Sequence, residues 1–138
     1  MFKIAVVDGQ GGGIGALIVK RLRETFGETV DITALGTNAA ATAAMMRAKA
    51  NRGATGENAI VWSSSMADLI TGPVSVVLAN GMLGEVTPKM AEALSSSHAD
   101  KFLLPLNQEL VVMVGLKKEP LPHLVEELIK IVKEKVNV

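Results

Sequence analysis

The chain has 138 residues, of which 49% are hydrophobic, so it can bury the core of one compact domain spanning residues 1–138. Fourteen basic and fourteen acidic side chains cancel to zero net charge, which argues against nucleic acid or an anionic membrane surface as a partner. Cysteine is absent and histidine occurs only at His98 and His123, so disulfides and iron–sulfur clusters are excluded and a tetrahedral zinc site lacks ligands.

The beginning of the chain runs directly into a strand-like segment and shows no small-residue cleavage site, so we expect no signal peptide. The longest uncharged stretch, residues 69–84, is shorter than a bilayer requires and is interrupted by Pro73. These features predict a cytoplasmic protein with no membrane partner.

Short β-rich apolar runs alternate with longer segments of helical period in the first third of the chain, a pattern typical of α/β folds. The first strand is predicted at residues 4–7, and the first helix at 13–26, where apolar residues recur at helical spacing. A second strand is predicted at about 29–35. An alanine- and methionine-rich helix should follow from 39 to about 50, with Asn38 as its N-cap.

The middle of the chain is predicted to continue this alternation. A glycine-containing loop is expected at 51–58, a third strand at 59–62 and a short helix at 66–70. The apolar run 74–79 predicts a fourth strand. Thr87 followed by Pro88 is typical of a helix start, and this helix should extend to about Ser96.

The last third contains two apolar runs, 101–106 and 110–114, joined by a turn that includes Asn107 and Gln108. Because a parallel crossover needs a dozen or more residues, this pair is predicted to be antiparallel. A covering helix should begin near Pro120 or Pro122. The elements together predict a Rossmann-like three-layer sandwich, with a mostly parallel sheet of about five to six strands and one antiparallel edge strand.

A glycine-rich loop, DGQGGGIG at residues 8–15, lies between the first predicted strand and helix. Glycine permits the positive φ angles and close backbone approach by which such a loop presents N–H groups to an anion, assisted by the helix dipole. A tight turn that binds nothing is the alternative interpretation. The loop predicts a site for a nucleotide or another phosphorylated small molecule, formed by Gly9, Gln10, Gly11, Gly12, Gly13 and Gly15.

The spacing G-x-x-x-G-x-G at Gly9, Gly13 and Gly15, together with VLANG at residues 77–81, resembles the cofactor loop and Asn-Ala-Gly segment of short-chain dehydrogenases. This resemblance covers about the first 85 residues and implies NAD(P) or another nucleotide as cofactor. The catalytic tyrosine of that family is missing, because the chain contains no tyrosine, so we expect no carbonyl reduction of that kind. The acidic residue that usually holds the adenosine ribose is also missing, since residues 36–38 read GTN.

A wider combination of motifs extends over the full length of the chain: DGQGGGIG, ALGTNA, GATGENAI, ANGMLGE and PLN. This combination resembles a family of short bacterial proteins of unknown function. The resemblance implies the fold and the cytoplasmic location, and no activity.

Two further loops are expected beside the glycine loop. By analogy with doubly wound sheets, we expect the strand order 3-2-1-4-5, in which ligands bind between the loops that follow strands one and four. Asn80 and Gly81 therefore join the candidate site. Thr37 and Asn38 would contact a ribose, although Asn38 also has the ordinary interpretation of an N-cap.

No catalytic residue and no metal site are assigned, and Asp8 and Glu85 are the candidates for chemistry, as a general base or as ligands of magnesium. Three functions stay open at this point. The first is a module that binds a nucleotide or phosphorylated ligand, the second is a metal-assisted, nucleotide-dependent transferase or hydrolase that uses both carboxylates, and the third is a structural or interaction protein with an empty loop.

The alanine-rich helix predicted from residue 39 has little polar surface and contains Met45 and Met46. Small and flexible side chains permit close helix contacts, so a homodimer through this helix is predicted, with burial against the sheet as the alternative. Under the dimer hypothesis, Met45→Glu should dissociate the assembly without unfolding it.

Overall fold

A five-stranded parallel sheet forms the centre of the computed structural model, which describes residues 1–137. The strand order is β3-β2-β1-β4-β5, and every neighbouring pair is parallel. In chain order the elements are β1 (Phe2–Asp8), α1 (Gly13–Phe26), β2 (Val30–Gly36), α2 (Ala39–Arg47), β3 (Arg52–Thr55), α3 (Glu57–Ser63), β4 (Leu69–Pro73), a 3₁₀ turn (Val74–Val77), α4 (Pro88–Ser96), β5 (Asp100–Leu104) and α5 (Leu121–Val136).

The central strand β1 is buried on both faces, so its alternate side chains enter two separate cores. Ile4 and Val6 pack in the core beneath α1 and α5, whereas Ala5 and Val7 pack in the core beneath α3 and α4. The three layers, the predicted strand order and the Rossmann-like class are therefore confirmed. Within residues 1–137, no helix combines the length and apolar character needed to cross a membrane.

The predicted helix starts are confirmed at two caps. The Asn38 side chain accepts a hydrogen bond from the Ala41 N–H at 2.9 Å, and the Thr87 hydroxyl accepts one from the Met90 N–H at 3.2 Å. The N-cap residue of α1 is Gly12, which has no side chain to accept a hydrogen bond and whose φ of 75° is in the left-handed region, while Asp8 accepts from the Gly15 N–H in the first turn. Among residues 1–137, the N–H groups of Gly13 and Ile14 in this turn have no acceptor.

The prediction of the third strand is wrong. β3 lies at Arg52–Thr55, inside the predicted loop, and the predicted strand at 59–62 is part of α3. β3 is a short, exposed edge strand without an apolar run, so its sequence carries little strand signal. A short apolar run does not distinguish a strand from a helix, and in α3 it buries Ile60 while Trp62 is 63% exposed.

The prediction of a helix at 66–70 and a strand at 74–79 is also wrong. β4 occupies Leu69–Pro73, and the next four residues form the 3₁₀ turn. The misleading residues are Gly72 and Pro73, which usually mark turns but here end a buried strand. Gly72 is needed because a Cβ at this position would collide with the backbone oxygen of Val7 in β1.

The predicted antiparallel edge strand at 110–114 is absent, since these residues lie outside the sheet and β5 is the edge, parallel to β4. The chain turns directly after β5, where the Leu106 N–H donates to the Leu104 carbonyl at 2.8 Å, and the Glu109 carboxylate then accepts hydrogen bonds from the Met82 N–H at 2.7 Å and from Ser75 Oγ at 3.0 Å. These contacts direct the following residues away from the sheet.

The helix expected to form a dimer, α2, places Met45 in the core, fully buried, while Met46 is partly exposed. Met45 packs so closely on α1 that a Cβ on Gly15 would lie 2.6 Å from its sulfur. Burial is therefore the correct interpretation of Met45. Its replacement by Glu would place a charge in the core, so it does not test an interface.

Candidate functional site

A cleft of about 350 Å³ opens at the carboxyl ends of β1 and β4. The strand order changes direction between these two strands, and ligands of open α/β sheets bind at this position. One side of the cleft is formed by the glycine loop, and the other by residues that follow β4 and β5. The lining residues are Asp8, Gly9, Gln10, Gly11, Gly12, Gly13 and Ile14 on the first side, and Pro73, Ser75, Met82, Leu106, Asn107 and Gln108 on the second.

Asp8 holds the glycine loop at both of its ends. Its side chain is buried, with a residue exposure of 3%, and its two oxygens accept hydrogen bonds from the Gly9 N–H at 2.8 Å and the Gly15 N–H at 2.6 Å. Burial raises the pKa of Asp8 above its usual value, the two N–H groups oppose this, and the negative charge of Glu85 adds to the rise. Both oxygens of the carboxylate are thus engaged by the backbone.

Three N–H groups in the middle of the loop have no protein partner. Gly12 donates to the Gly9 carbonyl at 2.9 Å, but within residues 1–137 Gly11, Gly13 and Ile14 donate to no acceptor. A Cβ added to Gly11 or Gly13 would meet no atom within 4 Å. These N–H groups therefore lie beside open space at the N-terminal end of α1.

Glu85 connects the loop after β1 with the loop after β2. Its Oε1 accepts hydrogen bonds from the Gln10 N–H at 2.8 Å, Thr37 Oγ1 at 2.7 Å and Asn38 Nδ2 at 2.8 Å. Desolvation works to raise the pKa of Glu85, but the three hydrogen bonds outweigh it, so this pKa lies below its usual value. Asn38 Nδ2 also donates to the Gln10 carbonyl at 3.0 Å. The structure therefore brings Thr37, Asn38 and Glu85 together at the glycine loop.

Asn80 and Gly81 shape the loop between the 3₁₀ turn and α4, and neither lines the cleft. The Asn80 N–H donates to the Val86 carbonyl at 2.7 Å, and a Cβ on Gly81 would lie 2.5 Å from the Ser75 carbonyl oxygen. Their contribution is to position Met82, which does line the cleft. The predicted crevice between the two loops is formed, with Met82 and not Asn80 at its surface.

The same loop contains several left-handed residues that are not glycine. The φ angles of Asn80, Met82 and Leu83 are 64°, 57° and 57°, and Gln10 in the facing loop has a φ of 49°. Such residues cost conformational energy and cluster at functional sites, where the surrounding structure holds them in place. Backbone strain is thus concentrated around this cleft.

Residues after β5 complete the cleft, and sequence reasoning placed only Asn107 on this side. Gln108 and Gln10 form a reciprocal amide pair, with Gln108 Nε2 donating to Gln10 Oε1 at 2.9 Å. Desolvation is outweighed at Glu109 by the hydrogen bonds from the Met82 N–H and Ser75, so the pKa of Glu109 is lowered. One signal could have identified Glu109, which is the lone charged residue between Lys101 and Lys117.

Comparison with solved structures finds a related fold. The crystal structure of a dodecameric FMN-dependent UbiX-like decarboxylase from Escherichia coli O157:H7 aligns with a TM-score of 0.52 and 14% sequence identity, covering 100% of this chain and 96% of that one. At this level of identity the similarity shows the fold alone. No curated protein matches the chain.

Comparison with protein families finds one whose description is Domain of unknown function (DUF3842), and the match covers residues 3–137. The matched region includes the glycine loop, the cleft and every strand of the sheet except the first residue of β1. The sequence resemblance to a family of unknown function therefore corresponds to a match with a defined family over residues 3–137. This chain, which has a Rossmann-like α/β fold, belongs to the family Domain of unknown function (DUF3842).

Proposed function

We propose that the cleft binds a nucleotide or another phosphorylated small molecule, with its phosphate at the N–H groups of Gly11, Gly13 and Ile14. The observation that carries this proposal is a set of three N–H groups that have no acceptor among residues 1–137, at the N-terminal end of a 14-residue helix and beside a cleft of about 350 Å³. Free N–H groups and the positive end of a helix dipole are the usual backbone elements of phosphate sites.

The hydrogen bonds within the loop support this assignment. Asp8 engages the N–H groups of Gly9 and Gly15, and Glu85 engages that of Gln10, so internal carboxylates satisfy the outer donors of the loop. The central donors are left without an acceptor. Since backbone N–H groups require a partner, a ligand oxygen or water must supply it.

The charge of the cleft restricts the ligand. Its lining residues include no Lys or Arg, while Asp8 lines it and Glu85 lies behind Gln10. A phosphate in this cleft is held by backbone N–H groups and by neutral amides such as Gln108, without a cationic side chain. This favours a ligand with a single phosphate group over a triphosphate, whose larger negative charge would lack a counter-charge.

FMN belongs to the proposed ligand class and is the cofactor named for the structurally similar decarboxylase. The donor set of Gly11, Gly13 and Ile14 fits its phosphate group, and the cleft lies near the lower end of the roughly 300–1,000 Å³ typical of small-molecule sites. When bound, FMN would supply electron-transfer chemistry that no side chain of this cleft offers. NAD(P), suggested by the loop spacing, is the other cofactor candidate.

Catalysis by Asp8 and Glu85 receives no support from the site geometry. Asp8 accepts two backbone N–H groups and Glu85 Oε1 accepts three donors. Among the residues that the structure describes, no group of three or more His, Asp or Glu side chains could hold a metal ion. We therefore propose binding without assigning a reaction.

We also infer a homo-oligomer, in keeping with the dodecameric state of the structurally similar decarboxylase. The exposed apolar residues after β5 provide a surface for it. A cytoplasmic location stays a prediction from the sequence.

Ligand binding is tested by thermal unfolding and calorimetry of the full chain with FMN, AMP, NAD, NADP and inorganic phosphate. A ligand at 100 times its Kd adds about 2.7 kcal/mol of stability and raises the melting temperature. Gly13→Val should abolish the shift, because its side chain would enter the open space beside the free N–H groups without touching the protein.

The matched control is Ala43→Val, which makes a similar change on an exposed position of α2, away from the cleft. This variant should retain the full ligand-induced shift. Absence of any shift or calorimetric signal across the panel contradicts the proposal, as does undiminished binding by Gly13→Val.

A further inference from the structure

The segment between β5 and α5, residues 105–119, forms an arm without regular secondary structure. Its base is fixed beside the cleft: Gln108 pairs with Gln10, and the Glu109 carboxylate accepts hydrogen bonds from the Met82 N–H and Ser75. The next residues, 110–114, therefore leave the body of the protein from a defined point.

Residues 110–114 have the exposure pattern of a strand with one uncovered side. Leu110, Val112 and Val114 are 104%, 83% and 95% exposed, whereas Val111 and Met113 are 39% and 41% exposed. A period of two places alternate side chains on opposite sides of an extended chain. One side of the arm thus faces its own protein, and the other is an apolar row open to solvent.

The backbone of this segment is also unpaired. Within residues 1–137, none of the five N–H groups from 110 to 114 donates a hydrogen bond, and the only carbonyls engaged are those of Val111 and Met113. The chain bends at Leu110 and turns at Val114 and Gly115, where the Leu116 N–H donates to the Met113 carbonyl, so residues 111–113 form the stretch between the bend and the turn. Exposed backbone with free N–H and C=O groups is a template for pairing with another strand. Within residues 1–137, the arm therefore has neither a neighbouring strand for its backbone nor an apolar surface to cover its exposed side chains.

We propose that residues 110–114 extend and pair, as an antiparallel strand, with the same residues of a second copy of this chain, so that the bend at Leu110 and the turn at Val114 open on association. A two-fold axis at Val112 would place Val112 opposite its counterpart and Leu110 opposite Val114, so that apolar side chains meet across the strands. This pairing is independent of ligand binding in the cleft.

The composition of the arm identifies the second copy as the occupant. Residues 110–116 contain no charged side chain, and Glu109 is already engaged within the chain, so a partner recognised by charge would contact the residues that follow, Lys117, Lys118 and Glu119, and not the apolar row. A self-complementary apolar row fits an identical row. The exposed fractions of residues 110–114 and Leu116 together equal about four fully exposed apolar residues. A monomer usually exposes its large apolar residues singly, so a contiguous row of this size indicates a contact surface.

Light scattering of the full-length chain, coupled to size-exclusion chromatography at micromolar concentration, tests this interface. The expected mass is at least two chains of 14.5 kDa. Val112→Glu should remove the arm contact and lower the mass, because two carboxylates would face each other across the two-fold axis. Trp62→Glu changes an exposed apolar residue on α3 and should leave the mass unchanged, with circular dichroism confirming that both variants are folded.

A cross-link tests the pairing without a charge. The chain contains no cysteine, so Val112→Cys introduces a single thiol, which should form a disulfide-linked dimer under mild oxidation. Trp62→Cys is the matched control and should stay uncross-linked. A wild-type mass of one chain, an unchanged mass for Val112→Glu, or no preferential cross-linking of Val112→Cys would each overturn the proposal.

Discussion

Replacing Asp8 by alanine tests whether the glycine loop is built around this buried carboxylate. The substitution leaves the N–H groups of Gly9 and Gly15 without their acceptors, and each unsatisfied group costs about 1–3 kcal/mol. Removal of a desolvated carboxyl group offsets part of this loss, so we expect Asp8→Ala to lower the free energy of unfolding by about 2–4 kcal/mol.

Urea unfolding at pH 7, followed by far-UV circular dichroism, measures this change, and the midpoint should fall by about 2 M. Asp31→Ala is the control, because Asp31 forms a 2.6 Å ion pair with Arg52, whose side chain is more than half exposed. Its cost should stay within about 1 kcal/mol. If Asp8→Ala costs no more than Asp31→Ala, water satisfies both N–H groups and the carboxylate does not organise the loop.

Three further changes probe the contacts around the cleft. Gly72→Ala should destabilise the protein by about 1–3 kcal/mol in urea unfolding, since its Cβ would meet the Val7 carbonyl oxygen; an unchanged midpoint would contradict this close approach. Glu85→Gln should cost about 1–2 kcal/mol at neutral pH. Because the folded pKa of Glu85 is lowered, that cost is full above about pH 5 and shrinks as the pH falls through the folded pKa, so an equal cost at pH 7 and pH 3 would refute the assignment. Glu109→Ala should release the base of the arm by removing the acceptor of the Met82 N–H, and limited proteolysis should then cleave the arm faster than in the wild type.

Local signals in the sequence are sufficient for the elements that determine the site. The apolar period of α1, the Asn38 cap of α2 and the glycine loop all depend on residues close together in the chain, and the structure has them where the sequence predicts. The analogy with doubly wound sheets then places the loop at the change in strand order, where the structure has it. The position of the cleft is therefore predictable.

The edge and end strands are not predictable by the same reasoning. β3 is stabilised by its pairing with β2 and has no apolar row of its own, while Gly72 in β4 is explained by a contact with Val7, 65 positions earlier. Apolar residues 110–114 have a strand pattern in the sequence, but no strand partner among residues 1–137. For β3 and β4 the deciding contact is tertiary, so a local pattern does not reveal it.

The roles of the carboxylates depend in the same way on tertiary contacts. The sequence indicates that Asp8 and Glu85 lie near one crevice, and the structure places both at the glycine loop. Both oxygens of Asp8 and Oε1 of Glu85 nevertheless accept hydrogen bonds whose geometry depends on the conformations of two separate loops. The topology predicts that Asp8 and Glu85 lie close together. It does not predict which N–H and O–H groups donate hydrogen bonds to their carboxylates.

The amide pair of Gln10 and Gln108 joins two sides of the cleft that are 98 residues apart in sequence. Neither amide titrates, and the pair carries no net charge, so acid and salt leave this contact largely intact. The nearby hydrogen bonds from the Met82 N–H and Ser75 Oγ, which fix the arm, are accepted by the Glu109 carboxylate. They weaken when that carboxylate is protonated. In acid, loosening of the arm should therefore begin at Ser75 and Met82, while the neutral amides keep its base attached to the glycine loop.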